Sequence, residues 1–137
     1  MRPRIILLLL CFSLVAFVGC ASAGADDDAP PKIVRSVIPE YPPALFRAGI
    51  TGSAVVVFIV DERGTVTNAY ASKWTHQLFR EAAVAAVRKC KFERPWRHGR
   101  SASVILEMPI SFDITSDGKP SQAPLPTPGL RPGATSL

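Results

Sequence analysis

The backbone of residues 104–112 is the part of the sequence best suited to binding chemistry, because it predicts a strand at the edge of a sheet. Apolar residues fall at every second position from Val104 to Phe112 and alternate with a partly polar face, as in a half-buried strand. Pro109 has no N–H to give to a ladder, and proline in a sheet is confined to edges, first residues and bulges. The candidate contact residues of this edge are Val104, Ile105, Leu106, Glu107, Met108, Pro109, Ile110, Ser111 and Phe112.

Two interpretations of this edge are open on the residues alone. In the first, Glu107 and Pro109 serve only to prevent aggregation through the edge, because charged residues and proline commonly protect the edges of sheets. Alternatively, the edge binds an extended peptide that adds a strand to the sheet through main-chain hydrogen bonds.

A dense basic cluster precedes the edge strand, with Phe92 and Trp96 between its members. Such a cluster is required for nucleic-acid binding, but the N-terminal export signal described below argues against that ligand. Acidic lipid headgroups or cell-wall polymers are the alternative partners, and a solvated helix end and loop is the interpretation without a partner. The cluster comprises Arg88, Lys89, Lys91, Arg94, Arg97 and Arg100.

Residue types that support catalysis or metal binding are present but not arranged for it. His76 and His98 are isolated, and Cys90 has no partner at helical spacing. The sequence contains no glycine-rich phosphate loop and no nucleophile elbow. It therefore predicts a non-enzymatic protein without metal or cofactor.

Charge gives only a weak argument for a polyanionic partner. The chain of 137 residues has 16 Lys and Arg against 11 Asp and Glu. Arg2 and Arg4 belong to the targeting segment, and without them the count is 14 against 11, an excess of +3.

The N-terminus predicts export from the cytoplasm. Two arginines precede an uncharged apolar run at 5–19 and the small residues at 20–23, the features of a secretory signal. Three outcomes are open: lipidation of Cys20 at a lipobox-like 17–20, cleavage after Ala23, or retention of 5–25 as a membrane span. Each places the following domain outside the cytoplasm. Cys11 lies in the leader, so no disulfide framework is predicted.

The globular part follows from hydrophobic periodicity. The pattern predicts an extended segment at 32–41 and a short helix at 42–49. It then predicts a central strand at 53–60, which a turn at Gly64 joins to a second strand at 65–72. Thr75 is the expected N-cap of a second helix. Its apolar stripe is Phe79, Ala82, Ala83, Ala86, Val87 and Cys90.

The domain boundaries follow from these patterns and from proline content. Residues 1–20 form the signal with its lipobox-like end, 21–32 a spacer, and 33–115 the folded domain. Five prolines between 120 and 132 and the loss of apolar periodicity predict a disordered or extended tail over 116–137.

The pattern of spaced residues over 34–114 resembles the TonB C-terminal domain family. The resemblance begins with Pro39-x-Tyr41-Pro42-Pro43-Ala44 and with alternating positions from Gly49 to Asp61. It continues in order through Gly64-x-Val66, Phe79-x-x-Ala82-Ala83-x-x-Ala86, Phe92-x-x-Pro95, Gly99 and Pro109-Ile110-x-Phe112.

The resemblance implies an α+β fold: a small three-stranded antiparallel sheet with two helices packed on one face. It also implies that the strand matching 104–112 pairs with a short peptide of an outer-membrane TonB-dependent transporter. Energy for transport then comes from an inner-membrane motor reached through an N-terminal helix.

Three departures from the family pattern limit that implication. The Ser-x-x-x-His of the motor-binding helix is missing, since Ser13 is followed by Phe17. The spacer 24–32 extends about 30 Å at most, too short to cross the periplasm. Cys90 stands where the family usually has tryptophan, and Trp96 is expected to fill that volume.

These observations predict a periplasmic binding module, anchored through a lipidated Cys20, that captures a peptide of a transporter or another envelope protein. The alternative is a structural envelope lipoprotein or a homodimer that pairs through the same edge and has no transport role. A full energy transducer requires an uncleaved N-terminus.

Overall fold

The computed structural model describes residues 29–121 and 124–131, which include two helices and eight strands. The elements, in chain order, are β1 (Ile33–Arg35), α1 (Pro43–Arg47), β2 (Gly52–Val60), β3 (Val66–Trp74), α2 (Gln77–Lys89), β4 (Lys91–Phe92), β5 (Trp96–Arg97), β6 (Arg100–Ser101), β7 (Val104–Phe112) and β8 (Gly129–Leu130). The predicted α+β class is confirmed.

The main sheet is antiparallel and has the order β3-β2-β7-β8. The apolar run of β2 places it at the centre, where it pairs with β3 and, over all nine residues, with β7. The three predicted strands are present, and a short fourth strand from the tail joins them. Two further pairs, β1 with β4 and β5 with β6, form separate two-stranded sheets.

The core lies between one face of the main sheet and α2. The stripe on α2 buries Phe79, Ala83 and Val87 completely, and the small alanines bring the helix close to β2 and β3. Phe79 stacks on Phe112 of β7 with ring centroids 4.5 Å apart, and Tyr41 meets both rings edge-on. These contacts join α2, β7 and the segment before α1.

Two local predictions from the sequence are wrong. His76, not Thr75, is the N-cap of α2, because its Nδ1 accepts the N–H of Leu78 at 3.1 Å. The N–H of Thr75 instead donates to Ser53 and extends the sheet. Trp96 does not fill the volume beside Cys90: its side chain is 50% exposed, while Phe92 packs against Phe58 in the core.

The leader, Cys11, Cys20 and most of the spacer lie in 1–28, outside the described residues. Among the residues that are described, no helix is long and apolar enough to cross a membrane.

Candidate functional site

The side chains of β7 alternate between the core and the surface, as its sequence predicts. Residues 104, 106, 108, 110 and 112 are buried, and Pro109 and Ser111 are exposed. The same alternation divides the backbone groups. The carbonyl of Ile105 accepts the N–H of Arg131, on the side away from β2, so the backbone groups of residues 107, 109 and 111 point the same way. We call the outward N–H and C=O groups of Ile105, Glu107, Pro109 and Ser111 the β7 rim.

Pro109 is placed so that its missing N–H costs the sheet nothing. It lies opposite Val55 of β2, but its backbone nitrogen belongs to the β7 rim and not to the β2 ladder. Proline in a sheet is tolerated in this orientation. The rim therefore offers carbonyl acceptors at all four positions and N–H donors at three of them.

Part of the β7 rim is covered by the chain itself. Leu106 lies opposite Leu130 and Glu107 opposite Gly129 in β8, and Arg131 donates its N–H to Ile105 at 3.3 Å. The sequence predicted 104–112 as the end of the sheet, whereas β7 has neighbours on both sides at residues 105–107.

The tail reaches this position through a turn and two buried contacts. Thr115 donates to Lys119 and Ser121 donates to Asp113, so the chain reverses direction after β7. Leu125 is 8% exposed and belongs to the core cluster, and Pro128 is fully buried. The disordered tail predicted for 116–137 differs from the structure over 116–121 and 124–131, because these apolar side chains find partners on the sheet.

A cavity of about 240 Å³ lies beside the uncovered half of the β7 rim. Tyr41 forms part of its wall and donates its hydroxyl to the carbonyl of Ile50 at 2.7 Å. Desolvation and the nearby charge of Asp113 raise the pKa of Tyr41, so the hydroxyl stays a neutral donor. The lining residues are Ile38, Pro39, Tyr41, Pro109, Ile110, Ser111, Phe112, Asp113, Ser121, Pro124, Leu125 and Pro126.

The structure distributes the predicted basic cluster over several elements. Arg88 ends α2 and donates to the carbonyl of Ala69 on β3 at 3.4 Å, and Lys91 donates to Thr65 at 2.9 Å. Arg97 and Arg100 lie opposite each other in the β5–β6 hairpin. Lys89 and Arg94 are exposed. Arg88 is thus held against β3 rather than in the hairpin, and a shared ligand for all six remains a prediction.

Cys90 has the surroundings of a buried core residue. Cys90 is 1% exposed, its thiol donates to the carbonyl of Ala86 at 3.4 Å, and burial raises its pKa. Within 29–121 and 124–131, no group of three or more His, Cys, Asp or Glu side chains could hold a metal ion.

Sequence reasoning missed two contributors to the site. The tail brings Leu125 to the cavity, and the segment before α1 brings Ile38 and Tyr41. The available signal was the presence of Leu125 and Leu130 in a stretch otherwise rich in proline.

Comparisons with known proteins cover most of the described chain. The family described as "Gram-negative bacterial TonB protein C-terminal" matches residues 38–123. Two curated proteins, both called Protein TonB and from two strains of Xanthomonas campestris pv. campestris, are each 37% identical over 77 residues. That match covers 56% of this chain and 34% of each relative, so the chain spans about a third of their length.

A solved structure agrees with the fold. The solution NMR structure of the Pseudomonas aeruginosa TonB CTD superposes with a TM-score of 0.54 at 22% identity. The superposition covers 66% of this chain and 92% of that one. Since the family match extends over more than half of the sequence, this chain belongs to the family of TonB C-terminal domains.

Proposed function

We propose that this protein is a periplasmic, non-catalytic binding module whose β7 rim pairs with an extended peptide of an outer-membrane TonB-dependent transporter and so supports energy-coupled transport. The observation that carries the proposal is the β7 rim. It is one full side of a nine-residue strand, and within residues 29–121 and 124–131 its own chain pairs with it around residues 105–107.

The uncovered half of the rim favours entry of a peptide there. At Pro109 and Ser111 the rim borders the 240 Å³ cavity, whose walls include the apolar Tyr41, Phe112 and Leu125. In strand addition, main-chain hydrogen bonds provide affinity and pockets for alternate side chains provide specificity. A peptide that begins pairing at Ser111 would place a side chain in this cavity.

Full occupancy of the rim requires the peptide to replace β8. In the described part of the tail, two residue pairs and one further backbone hydrogen bond join β8 to β7, and the buried Leu125 and Pro128 add to its attachment. An incoming strand can pair along the whole rim. Since each net hydrogen bond contributes about 0.5–1.5 kcal/mol, a longer guest strand would outcompete β8.

The location in the periplasm is part of the proposal and derives from the leader sequence. We propose that Cys20 is lipidated and anchors the domain to a membrane of the envelope. Mass spectrometry of the purified native protein tests this. A chain that begins at a diacylglyceryl Cys20 has lost the motor-facing segment, whereas a chain that begins at Met1 retains it.

An amide-shift titration tests the peptide-binding role. Peptides from transporter N-termini would be added to the ¹⁵N-labelled full chain in detergent micelles. The expected result is saturable shifts at Ile105, Glu107 and Ser111 together with loss of the Gly129–Leu130 pairing. Unchanged shifts along Val104–Phe112 at millimolar peptide would overturn the proposal.

A pair of variants at one position separates strand addition from simple contact. Ser111→Pro removes an outward N–H and leaves the β2 ladder intact, so peptide affinity is expected to fall, whereas Ser111→Ala retains the N–H and the affinity. Light scattering on the same samples distinguishes the structural alternative, because a stable dimer that binds no peptide would favour edge pairing between two copies.

A further inference from the structure

The main sheet has a second open side, along β3. Within residues 29–121 and 124–131, β2 is the only strand that pairs with β3. The N–H of Thr75 bonds to β2, and the carbonyl of Ala69 points outward, where it accepts Arg88. The register between β2 and β3 is regular from Asn68 to Ala71 and shifts between Ala71 and Lys73, so the backbone groups of Ala71 point outward like those of Ala69.

A groove runs between this side of β3 and α2. It has a volume of about 390 Å³, and its floor consists of small apolar side chains from both elements. The residues that line it, which we call the β3 groove, are Ala69, Tyr70, Ala71, Arg80, Glu81, Val84, Ala85 and Arg88. A sheet edge beside a helix, with a groove between them, is a suitable receptor for an extended peptide.

The charges around the β3 groove select the chemistry of the ligand. Arg80 and Arg88 extend from α2 toward β3, where Arg80 lies 5.2 Å from the centre of the Trp74 ring and Arg88 contacts Ala69. The opposing carboxylate is Glu81, which lies 4.0 Å from Arg80 and is 58% exposed. Among the residues that line the groove, two cations against one carboxylate favour an acidic partner.

Exposed aromatic residues add contact area at the same edge. Tyr70 and Trp74 are 49% and 45% exposed, and both residue types are enriched in protein interfaces. If the cations served only to protect the β3 edge from aggregation, no groove lined by alanines and a valine would be needed beside them. The groove therefore favours a binding role.

We infer that the β3 groove is a second peptide-binding site, which takes an acidic extended segment of another protein by strand addition to β3. The guest backbone replaces Arg88 at the carbonyl of Ala69 and pairs with the outward groups of Ala71, and its carboxylates lie between Arg80 and the released Arg88. β2 and β7 separate this edge from the proposed β7 rim, and Arg131 links the two regions because its guanidinium donates to the hydroxyl of Tyr70 at 3.0 Å.

Three synthetic peptides test the inference on the ¹⁵N-labelled full chain in detergent micelles. The probe is acetylated Thr-Val-Glu-Val-Asp-Val-Thr amide. One control replaces both acidic residues by lysine, and the other replaces the second and third valines by proline, which keeps the charge but removes backbone donors. We expect the probe alone to shift the amides of Ala69 and Ala71 and to slow their hydrogen exchange.

Matched variants locate the charges that matter. Arg80→Gln with Arg88→Gln is expected to weaken probe binding about threefold to tenfold, the range for two exposed ion pairs. Arg47→Gln with Arg63→Gln removes the same charge elsewhere and is expected to leave affinity unchanged. Because Ala85 is exposed, Ala85→Glu should weaken binding without unfolding the chain, and Ala85→Lys should not weaken it.

Three results would overturn the inference. Equal binding of the proline peptide would show charge attraction without strand addition. Shifts confined to Arg94, Trp96 and Arg100 would place the acidic peptide on the β5–β6 hairpin, and shifts confined to Val104–Phe112 would leave only the β7 rim as a receptor.

Discussion

Gly64 shows how one residue fixes the turn that aligns β2 and β3. Its φ of +78° lies in the left-handed region, and a Cβ there would collide with the carbonyl oxygen of Phe92. The close approach matters because Phe92 donates its N–H to Gly64 and brings β4 under the turn. Asp61 completes the turn by accepting the N–H groups of Arg63 and Thr65.

Gly64→Ala is therefore expected to lower the free energy of unfolding by about 2 kcal/mol or more, since backbone strain and a clash add. Gly49→Ala is the control, because Gly49 has a φ of +67° but no atom within 4 Å of the added Cβ. Strain alone predicts about 1 kcal/mol there. Urea unfolding of both variants measures the difference, and equal losses would mean that the contact with Phe92 is unimportant.

Ionisation of Cys90 is expected to make the stability of the fold depend on pH in the alkaline range. Burial raises the pKa of its thiol, and a backbone hydrogen bond from Val37 opposes this only in part. A raised pKa in the folded state means that the contribution of the neutral thiol to stability is complete below the ordinary value. It is lost as the pH rises through the folded value.

Cys90→Ala provides the comparison for that dependence. The variant leaves a small cavity and is less stable at pH 7, but it has no thiol to ionise at this position. The stability gap between the two chains is expected to narrow above about pH 8.5, where an unfolded thiol ionises. Urea midpoints at several pH values from 7 to 10 measure the gap, and a constant gap would contradict the assignment.

At the scale of elements, the tail is the part that changes the surface most. It covers two of the four residues of the β7 rim, Ile105 and Glu107, and Leu125 and Pro128 hold it to the sheet. Leu125→Ala is expected to release it, with a loss of about 2 kcal/mol for a buried leucine at the margin of the core.

Hydrogen exchange at Glu107 measures that release, because its outward N–H faces Gly129. Exchange of this amide should accelerate in Leu125→Ala and stay unchanged in Pro126→Ala, whose side chain is exposed. Amides that bond to β2, such as that of Leu106, should keep their protection. Equal exchange at Glu107 in the two variants would show that Leu125 does not hold β8 in place.

The elements with a regular apolar period could be predicted from the sequence, and the others could not. The alternation in 104–112 and the stripe from Phe79 to Cys90 predicted β7 and α2, because burial on one face leaves a period in the sequence. The tail has no such period, since Leu125 and Pro128 reach the sheet from an irregular backbone. The β3 groove was not predicted either, because it depends on the path of α2 over β3.

At the scale of the whole molecule, the aromatic cluster makes the domain one cooperative unit. Tyr41 precedes α1, Phe79 lies on α2 and Phe112 ends β7, and their ring centroids lie 4.5–5.8 Å apart. These three residues connect segments that are distant in sequence, so none of the segments can leave the core without exposing the rings. The unfolding of such a unit is expected to be two-state.

Phe79→Ala removes the ring at the centre of that cluster and is expected to lower the free energy of unfolding by about 3–5 kcal/mol. A loss of this size is a large part of the 5–15 kcal/mol typical of small domains. Phe46→Ala is the control: Phe46 is only partly buried and meets Tyr41 alone among these rings, so about 1 kcal/mol is expected. Urea unfolding followed by tryptophan fluorescence and by circular dichroism should give coincident transitions in every variant. Separate transitions would mean that the helices and the sheet unfold independently and that the cluster does not couple them.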